Sequence, residues 1–145
     1  MKKGFSLIEL LVVVAIIGVL AGAGIVGYQG YLDGVKKDTA KNQATQLLRA
    51  LQAANISAES GLSGQDGCGP TDTIASCLGE LGSTLESPYM TTKMTSASFA
   101  SACNTNIAFE MSFTGTDNMK EVTGVTLVAC DGSTAVSDAT DSITF

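Results

Sequence analysis

Between Phe5 and Tyr31 the only side chain charged at pH 7 is Glu9, set within the apolar run Phe5-Ser6-Leu7-Ile8-Glu9-Leu10-Leu11-Val12-Val13-Val14-Ala15-Ile16-Ile17-Gly18. A carboxylate in hydrocarbon costs a few kcal/mol on insertion scales, so Glu9 is read as a functional residue that needs a cation. Four cysteines, Cys68, Cys77, Cys103 and Cys130, make up the second chemically capable set, and the chain has no histidine. Without histidine the most common proton-transfer side chain near neutrality is absent, and no acid–base pair or nucleophile–base arrangement replaces it. The chain is read as non-enzymatic, with no cofactor and no metal.

These residues need elements to hold them. The apolar run from Phe5 to about Leu32 is long enough to cross a bilayer core as a helix, for which about 20 residues suffice. It follows a short basic leader, Met1-Lys2-Lys3-Gly4. A cut between Gly4 and Phe5 would create an α-amino group four residues before Glu9, which is the cation that Glu9 lacks. An ordinary secretory signal is cut after its apolar region instead, and Ala21-Gly22-Ala23 could serve there. That alternative gives Glu9 no role.

The stretch Gly4-Phe5-Ser6-Leu7-Ile8-Glu9 resembles the class III signal of type IV prepilins and of the related type II secretion pseudopilins, with a close match over the first 31 residues or so. The resemblance implies that a prepilin peptidase in the inner membrane removes residues 1–4 and methylates Phe5. It also implies that Glu9 pairs with the terminal amine of a neighbouring subunit as the pilus assembly machinery builds a helical homo-oligomer. On this reading the precursor sits in the bacterial inner membrane and the product is a surface filament. A type II secretion pseudopilin or minor pilin is the alternative within the family. A non-polymerising single-pass membrane anchor carrying a binding module is the alternative outside it.

Beyond the span, apolar residues recur at Leu32, Val35, Ala40, Ala44, Leu47, Leu48, Leu51 and Ala54, which keeps one stripe of a 3.6-residue period. One helix is therefore expected over residues 5–55, with its transmembrane and polymerisation segment at 5–32. Its middle holds Gly18, Gly22, Gly24, Gly27, Gly30 and Gly34. Each glycine costs about 1 kcal/mol against alanine in a helix interior. Family filaments commonly have a melted helix near this point, so Gly22, Gly24, Gly27 and Gly30 are read as a weak segment. Small-residue spacing for close helix packing is the competing explanation. Tyr28 and Tyr31 close the apolar run, where aromatic rings favour the membrane–water interface.

Residues 56–145 are expected to form a disulfide-stabilised head. Ile56 to about Ala102 reads as loop, with a short helix over Thr71–Leu81 capped by Asp72. Strict alternation predicts a strand over 107–113 with Ile107, Phe109, Met111 and Phe113 inward. A second strand is expected over 122–130, a hairpin turn at Asp131-Gly132, and a last edge strand at 143–145. The expected class is α+β: a long N-terminal helix on a small antiparallel sheet, matching the ladle shape of the family.

The cysteines admit three pairings, which sequence alone does not decide. Cys68 with Cys77 and Cys103 with Cys130 are favoured, closures worth about 2.7 and about 3.5 kcal/mol in the loop-entropy model. A four-thiolate zinc site lacks its usual tight spacing. Asp131, Asp138 and Asp141 do not match an EF-hand loop, though some pseudopilins hold calcium near their C-terminus. Asn55-Ile56-Ser57 fits the glycosylation triplet. The formal charge of −6 becomes −8 when Lys2 and Lys3 leave with the leader. So acidic a head disfavours direct nucleic-acid binding.

Overall fold

A computed structural model describes residues 4–61 and 68–145. The chain divides after Val35 into two compact units. Helix α1 covers Leu7–Glu59 without interruption, passing through Gly18 to Gly34 and ending four residues beyond Asn55. In its first unit the apolar side chains have nothing to pack on: Leu7 is 82% exposed and Val26 73%.

The second unit, Lys36–Phe145, is built around the amphipathic part of α1. Ala40, Ala44, Leu47, Leu48 and Leu51 recur every three or four residues and are buried, the outcome of a 3.6-residue stripe meeting a core. Helix α2 (Ile74–Leu81) adds Ile74, Cys77 and Leu78 to the same cluster. Its N-cap is Thr73, whose side chain accepts from the Ser76 N–H at 3.2 Å. This corrects the expectation of an Asp72 cap. Asp72 instead accepts from the Gly69 N–H at 2.7 Å, holding the turn that leads into the helix.

Four strands follow, β1 (Phe99–Ala100), β2 (Phe109–Gly115), β3 (Val122–Asp131) and β4 (Thr134–Thr144), in the spatial order β1-β2-β3-β4. The pairs β2–β3 and β3–β4 are antiparallel, as expected, but β1 joins β2 in parallel, so the sheet is mixed. A two-residue strand has no alternation to read; its neighbour creates it. The last strand is also much longer than the three residues expected. Its start is set by the hairpin at Gly132, where φ of +60° suits glycine.

The alternation in β2 buries Phe109 and Met111 but leaves Phe113 39% exposed, because the core ends before the strand does. Phe99 and Phe109 stack within the core, ring centroids 6.0 Å apart. Gly79 lets α2 approach the segment before β1: a Cβ there would lie 2.3 Å from the Ser96 nitrogen. No larger residue fits without moving backbone.

Candidate functional site

The first turn of α1 explains the position of Glu9. Ser6 and Glu9 have the spacing of a capping box, in which a residue three positions into the helix reaches back to the cap's own N–H. The Glu9 carboxylate does so, accepting from the Ser6 N–H at 2.9 Å. The negative group thus lies at the positive end of the helix dipole. Sequence reasoning passed over this partner, although Ser6-Leu7-Ile8-Glu9 carries its signature.

Phe5 and Glu9 fall on one side of the turn. With Ile8, Val12 and Val13 they line an open groove of about 430 Å³. Phe5 is 87% exposed, and Gly4 precedes the helix in an exposed, irregular stretch. The remainder of the span has the same character. Its most apolar window has a mean hydropathy of 2.8 and none of it is buried. Among the described residues this is one helix long and apolar enough to cross a membrane. The groove is open and can take an apolar side chain beside a carboxylate.

Gly22, Gly24, Gly27 and Gly30 lie within the continuous helix, and a Cβ added at any of them would meet nothing within 4 Å. Packing within the described chain does not require glycine at these positions. Tyr28 and Tyr31 are 62% and 67% exposed.

In the head, Cys68 is bonded to Cys77 and Cys103 to Cys130, which leaves no free thiol among the described residues. The first bond ties the start of the described head to α2, and the second ties the segment after β1 to β3. Asn55 is buried and its amide donates to the Met119 carbonyl, so the triplet it begins is closed to modification in the folded head. The three acidic residues near the C-terminus are dispersed along strands. Asp131 ends β3, Asp138 faces Lys37 at 3.7 Å, and Asp141 accepts from the Ser142 N–H.

Comparison with known proteins bears on this arrangement at two scales. Residues 1–25 match the family model described as the prokaryotic N-terminal methylation motif. The type IV major fimbrial protein FimA of Dichelobacter nodosus is 30% identical over 152 residues, covering 97% of this chain and 89% of that protein. The chain belongs to the type IV pilin family.

Other relatives match this pilin over shorter stretches. A fimbrial protein of Pseudomonas aeruginosa is 44% identical over 61 residues, which is 42% of this chain. Fimbrial protein Q of Moraxella bovis is 38% identical over a stretch of the same length. The match spans about a third of the Pseudomonas protein, 35% of its length. No solved structure matches the pilin significantly.

Proposed function

We propose that this pilin is a structural subunit which is cut after Gly4 by a prepilin peptidase, N-methylated at Phe5, and polymerised through residues 5–32 into a helical fibre. The observation that carries the proposal is the uncovered apolar helix with one carboxylate in its first turn. Apolar surface of this extent is stable in lipid or against copies of itself. In the bilayer it anchors the precursor in the inner membrane; in the fibre it is buried against neighbouring helices.

Glu9 sets the register. In a dry fibre core an unpaired carboxylate is penalised heavily, and a neighbour's terminal amine relieves the penalty only when subunits are aligned. Head residues 56–145 then form the outer surface. The relatives' names favour a fibre component over a secretion pseudopilin. Among fibre tasks, adhesion and twitching motility suit an acidic head better than direct DNA contact does.

Mass spectrometry of the mature N-terminus tests processing, and electron microscopy of sheared surface material with peptide identification tests polymerisation. A product beginning at methylated Phe5 and recovered in fibres is expected. A mature chain that begins elsewhere, or that never leaves the membrane, overturns the proposal.

A further inference from the structure

The two disulfides of the head are not equally open to attack. In Cys68–Cys77 both residues are fully buried, the second of them within α2. In Cys103–Cys130 the burial is one-sided. Cys130 is fully buried near the end of β3, an inner strand of the sheet, whereas Cys103 is partly exposed in the irregular connection from β1 to β2. Its neighbours Ser101, Ala102, Asn104, Thr105 and Asn106 are all exposed.

Charge adds to access. Residues 94–109 contain no charged side chain, so an approaching thiolate meets no local repulsion there. The loop closed by Cys68–Cys77 instead carries Asp72. Thiol–disulfide exchange needs a thiolate to reach one sulfur while the other leaves. A buried departing thiolate is disfavoured in both bonds alike, and what differs between them is entry to the sulfur attacked.

From this asymmetry we propose that Cys103 is a site of reversible exchange with small thiols, which makes Cys103–Cys130 a redox-sensitive latch and leaves Cys68–Cys77 a structural bond. A thiolate attacks Cys103 Sγ, the S–S bond breaks, and Cys130 leaves as a thiolate that takes up a proton. A second thiolate attacks the small thiol's own sulfur in the mixed disulfide, which frees the Cys103 thiol and releases the oxidised thiol dimer. Two electrons thus enter the head, and the dimer reverses the sequence. Opening is local. Phe99 stays stacked on Phe109 in the core, the Ala108 N–H still donates to the Ser98 carbonyl at 2.9 Å, and the Cys130 N–H to the Ala108 carbonyl at 3.0 Å. The connection between Ala100 and Ala108 is released with both ends held, so the two thiols remain within reach of one another. The proposal concerns the head alone and does not depend on polymerisation.

The test incubates the full chain in detergent with graded reduced glutathione. Excess N-ethylmaleimide in urea at mildly acidic pH then stops exchange and labels every thiol, and peptide mass spectrometry assigns the labels and any glutathione adduct. Cys103 and Cys130 are expected to be freed at a glutathione concentration about tenfold or more below that which frees Cys68 and Cys77. The adduct is expected on Cys103, with hydrogen-exchange protection of β2 and β3 retained. An adduct on Cys130, both bonds opening together, Cys68–Cys77 opening first, neither bond opening, or loss of that protection overturns the proposal.

Discussion

The carboxylate of Asp117, in the turn between β2 and β3, accepts from the backbone N–H of Ile74 at 3.2 Å, at the first residue of α2. It lies 43 residues away in the chain and supplies what Thr73 cannot, a partner for a second unpaired N–H of that helix. Met119, in the same turn, donates to the Asp72 carbonyl and accepts from Asn55, so α1, α2 and the turn are joined at one point. Asp117→Ala is therefore expected to lower head stability by about 1 kcal/mol, and Asp117→Asn by less, because the amide oxygen still accepts. Urea melts of the full chain in detergent, followed by near-ultraviolet circular dichroism, provide the comparison.

Substitutions separate the helix-cap contact of Glu9 from its proposed pairing with a neighbour's amine. Glu9→Gln keeps an acceptor for the Ser6 N–H but loses the charge, whereas Glu9→Ala loses both. Leader removal and membrane insertion should persist in each, since insertion follows the apolar length. Fibre yield should fall severely in both if charge pairing sets register. Normal fibres from Glu9→Gln as the sole pilin would reduce the residue to a helix cap.

The glycines of α1 make an opposing prediction. Gly22→Ala, Gly24→Ala, Gly27→Ala and Gly30→Ala meet no steric obstacle in the subunit, and each should stabilise the helix by about 1 kcal/mol. Helicity in detergent rises accordingly. If the segment must melt during assembly, the quadruple variant forms fewer or differently packed fibres. A fibre map with unbroken helical hydrogen bonds across residues 18–34 in the native pilin would end the melting idea.

The parts of the fold that sequence made legible are those in which one strand or helix face is apolar throughout. The stripe from Ala40 to Leu51, the β2 residues Phe109 and Met111, and β3 all carry their burial in their spacing. What escaped depended on partners. β1 exists because Phe99 and Ala100 pair with Phe109 and Glu110. Most of β4 is Ser, Thr, Asp and Ala, residues with weak strand signals, and its pairing with β3 imposes the strand. Asp72 and Thr73 are both good cap residues, and only the turn at Gly69 decides between them. In the apolar first part of α1 Glu9 stood out as a charge among apolar residues, while the rows of hydroxyl side chains across β2, β3 and β4 were hidden until register brought the three strands together.

The two disulfides allow a graded test of what holds the head. Cys68–Cys77 spans 9 residues and Cys103–Cys130 spans 27. In the loop-entropy model the longer closure restricts the unfolded chain more, so removing the pair with Cys103→Ser and Cys130→Ser should cost about 3.5 kcal/mol, against about 2.7 for Cys68→Ser with Cys77→Ser. The shorter bond nevertheless lies among core residues, with both Cys68 and Cys77 fully buried. Replacing them leaves hydroxyls within an apolar cluster, an added penalty. Alanine variants of each pair separate the contributions, since they leave no buried hydroxyl. Equal losses for the two alanine pairs in chemical denaturation would show that loop length does not govern this head's stability. A larger loss for the shorter pair would assign its main role to packing α2 against the core.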